Sequence, residues 1–257
     1  MIGGSIIEAA LRRDHIVVAS ALGAVVVVAW GYLLAGAGMG MHEMDGMLMA
    51  RHAVWTPAFV AVALLMWAVM MAAMMLPSAA PMILLFGTIA RRRQATGGTP
   101  GDTGVFGVGY VAVWATFSIV AVVLQFGLDR GALLSPMMQT TSKALAGAVL
   151  IGAGVYQWTP FKQACLRRCR SPLDFLMTEW REGRMGAFIM GLRHGAYCLG
   201  CCWVLMLLLF VGGIMNIAWI AGIALFVLVE KLAPAGHWIG QGAGVALVFW
   251  GVASLVT

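Results

Sequence analysis

Thiol and imidazole side chains are concentrated in residues 191–203, whose sequence is GLRHGAYCLGCCW. Cys198, Cys201 and Cys202 are three of the chain's five cysteines, and His194 precedes them. On a helix, His194, Cys198 and Cys202 recur every four residues and share one face, with Cys201 beside it. Thiolate and imidazole ligands suit Cu(I) or Zn(II), so the spacing predicts a soft-metal site. The alternative is that the buried cysteines pack as small hydrophobic residues and that His194 is an ordinary hydrogen-bonded side chain.

A second pair of thiols lies upstream, at Cys165 and Cys169. Their four-residue spacing places both on one face of a helix, with Arg167 and Arg168 between them. This pattern predicts a metal or redox role at the inner end of a membrane span. The alternative is that both are simply interfacial residues.

Two rows of thioethers follow a helical period in an apolar segment. Met66, Met70 and Met74 recur every four residues, and so do Met71 and Met75. A helix would align them as two adjacent sulfur ladders, which could pass Cu(I) between weak sites. Methionine at this spacing is also typical of ordinary packing, which is the alternative.

The segment 36–55 is rich in methionine and glycine and contains Met41, His42 and Met44. Thioethers are soft and neutral, favour Cu(I) over Zn(II), and need no deprotonation. His42 could accept Cu(II) as well. The segment therefore predicts an external copper-collecting loop, and the alternative is a flexible linker or a short interfacial helix.

The composition defines the class of protein. Hydrophobic residues make up 62% of the chain and charged residues 10%, whereas a soluble domain carries about 25% charge. We predict an all-α, polytopic bundle in the lipid bilayer, forming one integral membrane domain over residues 1–257 without a cleavable signal. The net charge of +6 lies mainly at helix ends, so it reflects membrane topology and does not indicate nucleic acid. The placement of the five cysteines does not resemble a secreted disulfide framework.

Hydrophobic runs predict about seven spans, or six if the last one is re-entrant. Two details are specific: the second span should be kinked and broken near Pro77 and Pro81, and residues 171–182 should contain an interfacial helix. The predicted spans are 16–35, 56–90, 105–128, 143–161, 185–211, 217–229 and 237–256.

The distribution of lysine and arginine predicts the orientation. Basic residues are enriched in the segments that face inside if the N-terminus is inside, above all in residues 162–184. This places the loop 36–55 outside and the C-terminus outside, in a multi-pass protein of an inner (cytoplasmic) membrane. Arg193 within the fifth span needs a counter-charge, for which Glu230 is the predicted partner.

Three motifs together resemble a bacterial family of predicted metal-binding integral membrane proteins with an otherwise unassigned domain. They are residues 66–81 (MWAVMMAAMMLPSAAP), 156–172 (YQWTPFKQACLRRCRSP) and 191–206, which contains CLGCCW; the resemblance extends over 55–232. Some members are regarded as copper chaperones for a polyphenol oxidase. The resemblance therefore implies copper ligands among Cys198, Cys201, Cys202, Met70 and Met74.

The sequence thus favours a membrane protein that handles metal, most simply Cu(I), with zinc as the other candidate ion. It would bind the ion through cysteine, methionine and histidine, and either transport it or deliver it to a cuproenzyme or copper carrier. The sequence therefore favours a metal-binding protein over an enzyme. Two alternatives stay open: a membrane thiol–quinone oxidoreductase using Cys198 and Cys201, and a structural subunit of a membrane complex.

Overall fold

The computed structural model describes residues 2–37, 43–44, 47–48, 55–99, 101–135 and 138–256, of which 15–37, 55–99, 101–135 and 138–256 are described with their side chains. Ten helices form this part of the chain, together with one pair of two-residue strands. The helices are α1 (Ile2–Leu34), α2 (Pro57–Ala95), α3 (Thr103–Arg130), α4 (Lys143–Tyr156), α5 (Pro160–Arg170), α6 (Pro172–Glu179), α7 (Gly183–Leu207), α8 (Leu209–Gly212), α9 (Ile217–Leu232) and α10 (Gly236–Val256). The strands β1 (Glu43–Met44) and β2 (Met47–Leu48) pair antiparallel.

The all-α, multi-pass character predicted from composition is confirmed. Within the described residues, five helical segments are long and apolar enough to cross a membrane. They are His15–Leu34, Pro57–Ala95, Thr103–Arg130, Gly183–Gly212 and Gly236–Val256. The helices α4 and α9 are shorter, with 14 and 16 residues. The number of complete crossings and the N-inside orientation stay predictions.

The predicted break in the second span is wrong, because α2 continues through Pro77 and Pro81. A membrane helix tolerates proline when neighbouring groups satisfy the backbone around it. Near the prolines, the Met75 carbonyl accepts hydrogen bonds from Ser78 Oγ at 2.9 Å and from Tyr110 Oη at 3.1 Å, which ties this stretch of α2 to α3. The helix therefore carries all of its methionines on one continuous framework.

The predicted fourth span is too long, because α4 ends at Tyr156 and not at residue 161. Pro160 begins a separate helix, α5, whose first turn is capped by the Thr159 hydroxyl. A proline at the first helical position fits this role, since its missing N–H would be unsatisfied there anyway. Cys165 and Cys169 consequently lie on α5 and not at the end of a span. The next helix, α6, lies within the predicted interfacial region 171–182.

Glycines set the contact between α3 and α7. A Cβ atom at Gly109 would lie 3.0 Å from the Leu192 nitrogen and 3.2 Å from the Gly191 Cα, and it would meet the Phe188 carbonyl oxygen. Small residues at such crossings let two membrane helices approach backbone to backbone. The close approach holds the cysteine-bearing helix α7 against α3, which supplies Tyr110. A similar glycine contact joins α4 to α10, through Gly154 and Gly244.

The α3–α7 contact generates a prediction. Gly109→Ala should destabilise the protein by about 1–3 kcal/mol, because the added methyl meets backbone atoms that cannot rotate away. Gly107→Ala is the matched control, since a Cβ there meets nothing within 4 Å. Thermal unfolding in detergent measures both variants. Equal midpoints for the two would contradict the close packing.

Candidate metal centre

The structure gathers the chain's five cysteines where α5 packs on α7. All five are free thiols. Cys198, Cys201 and Cys202 are buried on α7, and Cys165 is buried on α5 beside Gly200, where an added Cβ would lie 2.7 Å from the Cys165 sulfur. Cys169 is only half-buried, and its side chain interacts with those of Cys198 and Cys201. The two thiol sets that the sequence separates therefore form one cluster.

The Cys198 sulfur is the centre of a buried polar network. It is hydrogen-bonded to the Tyr110 hydroxyl at 3.0 Å, and it accepts a hydrogen bond from Lys231 Nζ at 2.9 Å. The same ammonium group lies 3.1 Å from Ser78 Oγ. Side chains of α3 and α9 thus contact the Cys198 sulfur of α7, and α2 joins the network through Lys231. A positive charge in contact with this sulfur offsets the negative charge of a thiolate.

Cys202 brings thiol and thioether sulfur together. Its Sγ lies 3.9 Å from the Met75 Sδ on α2. The Cys202 thiol also donates to the Cys198 carbonyl at 2.9 Å, and the Cys201 thiol donates to the same oxygen at 3.0 Å. These bonds tie both thiols to the helix turn behind them. The sulfur atoms of α2 and α7 therefore face each other inside the bundle.

The sulfur ladders of α2 point into the protein and not into the surrounding lipid. All five of their methionines are buried: Met66, Met70, Met71, Met74 and Met75. Within the described residues, Met75 is the one whose sulfur has a thiol contact. The other four methionines are buried in the core. Both the ladder hypothesis and the packing alternative predict this burial, so it does not distinguish between them.

His194 lies in an aromatic pocket. Its ring centroid is 6.2 Å from that of Phe106, 5.7 Å from that of Tyr110 and 5.5 Å from that of Phe175. The Nδ1 atom is buried and has no hydrogen-bond partner in the described part of the chain. The predicted common face of His194, Cys198 and Cys202 is thus fully enclosed, with one unpaired imidazole nitrogen.

The donors converge without forming a closed cage. Among the side chains that the structure describes, no group of three or more His, Cys, Asp or Glu is arranged to hold a metal ion. Any metal bound here would recruit Met75 or would require the thiols to reorient. The predicted loop residues Met41 and His42 lie outside the described residues, and of Met44 only the backbone position in β1 is described.

The predicted Arg193–Glu230 pair is wrong. Arg193 forms an ion pair with Glu179 at the end of α6. Glu230 instead pairs with Lys162, whose Nζ lies 2.7 Å from Oε1 and 2.9 Å from Oε2 and also contacts Gln157 Oε1. The reason is helical geometry. Arg193 directly precedes His194 and points toward the outside of the bundle, whereas Glu230 is buried where α9 faces α5 and α10.

Three members of the network were not predicted as site residues: Lys231, Tyr110 and Ser78. In the sequence, Lys231 is one of the basic residues that indicate orientation, at the end of an apolar segment. That position gives no signal of a buried role, because lysine near the end of a membrane helix ordinarily extends to the interface. Tyr110 and Ser78 carry no spacing signal, since their role depends on which helices are neighbours.

The structure thus combines helices long and apolar enough to cross a membrane with a buried cluster of thiol and thioether side chains. In a comparison with known families, residues 64–254 match the family PpoB2, described as a copper chaperone. Because the match covers more than half of the chain, the protein belongs to the PpoB2 copper chaperone family. No curated protein and no solved structure matches the chain.

The buried ion pair next to the cluster generates a prediction. Glu230→Gln should destabilise the protein by about 3 kcal/mol or more, because it leaves the Lys162 ammonium buried without a counter-charge. Asp174→Asn is the control, since it removes the exposed pair with Arg168 and should cost less than about 1 kcal/mol. Thermal unfolding in detergent compares them. Equal losses in the two variants would show that the buried pair is not a determinant of stability.

Proposed function

We propose that this protein is a copper chaperone of an inner membrane that holds Cu(I) between α2 and α7 and passes it to a cuproenzyme. The proposed ligands are the thiolates of Cys198 and Cys202 and the thioether of Met75. The observation that carries the proposal is the meeting of these sulfur atoms beside a buried ammonium group. In this interpretation copper is the cargo of the protein and not a resident cofactor.

Sulfur geometry supports this ligand set. Metal–sulfur bonds of about 2.3 Å, the value for zinc thiolates, place two sulfurs on the same ion about 3.8–4.6 Å apart for tetrahedral to linear angles. The 3.9 Å between Cys202 Sγ and Met75 Sδ lies in this range. A mixed thiolate and thioether set favours Cu(I) over harder ions. Zinc, the other candidate ion, would prefer four ligands, and no group of three His, Cys, Asp or Glu is assembled among the described residues.

Charge balance supports it as well. Two thiolates carry two negative charges, the cuprous ion supplies one positive charge, and the ammonium of Lys231 supplies the other. The loaded site would therefore be neutral, which matters because a net charge buried in a membrane protein is costly. Before loading, Lys231 already faces the Cys198 sulfur at 2.9 Å. Loading then requires the Cys202 thiol to lose its proton, so metal binding releases a proton.

The remaining thiols suggest a route out of the site. Cys201 and Cys169 interact with each other, and Cys169 is the cysteine of the cluster that is partly exposed. Cys165 lies one helical turn before Cys169 on α5. We propose that the ion leaves by ligand exchange from Cys201 through Cys165 to the partly exposed Cys169, within the basic segment 162–184. His194, with its unpaired Nδ1, is a further neutral donor available during exchange.

Two elements would supply the ion. The loop 36–55, with Met41, His42 and Met44, is proposed to collect copper outside, and this rests on its composition alone. The buried ladder of Met66, Met70 and Met74, next to Met71, would lead inward to Met75. Thioethers suit this role because each binds Cu(I) weakly, and movement between sites requires that no single site holds the ion too tightly.

The ligand set generates a loading prediction. Wild-type protein, reduced and titrated with Cu(I) against a competing chelator, should bind about one equivalent tightly. Cys198→Ser and Cys202→Ser should each abolish that binding, since a hydroxyl is a poor ligand for a soft ion. Met75→Leu should weaken it by about tenfold, the effect of one lost ligand on the order of 1.4 kcal/mol.

Met82→Leu is the matched control, because Met82 is buried on the same helix and has no hydrogen bond to a cysteine. Unchanged Cu(I) affinity in both cysteine variants would overturn the proposed ligands. Tight zinc binding at the same thiols would reassign the ion. Reduction of a quinone by the metal-free protein, lost in Cys198→Ser, would favour the oxidoreductase alternative.

The charge argument generates a separate prediction. Lys231→Leu should lower the Cu(I) affinity by at least about tenfold, because two unit charges about 4 Å apart interact by roughly 4 kcal/mol at an effective dielectric constant of about 20. Lys231→Arg keeps the charge and should recover part of the affinity. Chelator competition measures affinity, and thermal unfolding of the same samples reports the fold. Equal affinity in Lys231→Leu and wild type, with the fold intact, would refute the neutralising role.

A further inference from the structure

A basic pocket lies away from the cysteines, between the end of α5 and the start of α10. It has a volume of about 460 Å³. Among the described residues, its lining combines basic and polar side chains with one leucine and includes no acidic side chain: Gln163, Leu166, Arg167, Arg170, Ser171 and His237. We refer to it as the α5–α10 pocket. Neither the thiol cluster nor the buried Lys162–Glu230 pair lies in its lining.

The two arginines of the α5–α10 pocket differ from their neighbours in their partners. Arg168 pairs with Asp174, and Arg193 pairs with Glu179. Arg170 is instead held by two backbone oxygens of the α9–α10 turn, those of Ala233 at 2.6 Å and Pro234 at 2.8 Å. Carbonyl groups fix its position without neutralising its charge.

Arg167 is exposed and has no carboxylate partner among the residues that the structure describes. The Ser171 side chain makes no capping hydrogen bond to α6. The pocket therefore presents two guanidinium groups and a hydroxyl without a counter-ion. The start of α10 lies at the same place, and the N-terminal end of a 21-residue helix adds partial positive charge.

The surroundings of the pocket place it at the edge of the apolar belt. Trp238, next to the lining residue His237, is 67% exposed, and Phe161 on α5 is 60% exposed. Leu173 at the start of α6 is 58% exposed. Exposed aromatic side chains beside basic ones are typical of the membrane–water interface. A ligand in the pocket could therefore reach it from the lipid headgroups or from the aqueous side.

We propose that the α5–α10 pocket binds a phosphate group, carried either by an anionic lipid headgroup or by a free phosphate ion. Guanidinium groups suit this ligand because their forked donors match phosphate oxygens and keep their charge at every physiological pH. A bound phosphate would connect α5, through Arg167 and Ser171, to the start of α10. The phosphate would thereby neutralise the positive charge of Arg167 and Arg170.

The experiment uses the full-length protein in detergent after removal of lipid. Short-chain phosphatidylglycerol is titrated against diacylglycerol of the same chain length, which lacks the phosphate. Inorganic phosphate is titrated in parallel at constant ionic strength against chloride. Ligand retention by native mass spectrometry and the shift in unfolding temperature are the readouts. We expect phosphatidylglycerol or inorganic phosphate to bind and diacylglycerol and chloride not to.

Arg167→Gln should weaken this binding by about tenfold, the usual effect of losing one charge-assisted hydrogen bond. Arg168→Gln is the matched control: it lies on the same helix, pairs with Asp174, and is not part of the lining. Binding of the lipid alone identifies a headgroup site, and equal competition by inorganic phosphate identifies a site for the free ion. Absence of phosphate-dependent binding, or equal weakening in Arg168→Gln, would overturn the proposal. None of these outcomes depends on copper, so the test is independent of the proposed function.

Discussion

Two consecutive charged residues near the end of α9 are both buried, and the packing of the bundle depends on neutralising each of them. Successive residues on a helix point about 100° apart, so Glu230 and Lys231 face different neighbouring helices. Glu230 meets Lys162 on α5, and Lys231 meets Ser78 on α2 and the Cys198 sulfur on α7. Burying an isolated charge costs several kcal/mol, so each contact fixes the position of α9 against a different part of the protein.

This constraint connects structure to the proposed metal handling. The ammonium that α9 buries lies 2.9 Å from the Cys198 sulfur that α7 buries. Under the proposed function, loading with Cu(I) would leave this site neutral. The donors are close but do not form a closed set of three His, Cys, Asp or Glu among the described residues. An open arrangement of this kind suits a chaperone, which has to release its cargo as well as bind it.

The helical framework follows largely from the sequence, because membrane helices are specified by length and hydrophobicity. The apolar runs that begin near residues 105 and 185 correspond closely to α3 and α7. The two incorrect predictions of helix boundaries both lie at prolines. At Pro77 the expected break does not occur, in a stretch where the Met75 carbonyl accepts a hydrogen bond from Tyr110 on α3, whereas at Pro160 the chain does begin a new helix. The two prolines have different effects because their surroundings differ: Pro77 lies in a helix packed against other helices, whereas Pro160 follows Thr159, which caps a new helix.

In the candidate site too, some features follow from local sequence and others depend on how the helices pack. Helical spacing predicts the shared face of His194, Cys198 and Cys202 and the sulfur ladders of α2, because both depend on local periodicity. The partners of charged residues depend on which helices meet, so Arg193 and Glu230 were assigned to each other incorrectly.

By itself, the sequence determined the class of protein, the apolar helices and the helical faces that carry thiol and thioether side chains, since composition and helical period are local properties. Only the tertiary structure decided that α5 brings its two cysteines to those of α7 and that Lys231 faces Cys198. Those contacts join residues far apart in the chain. They are fixed by the close approach of glycine-lined helices and by the need to pair every buried charge, neither of which a spacing pattern encodes.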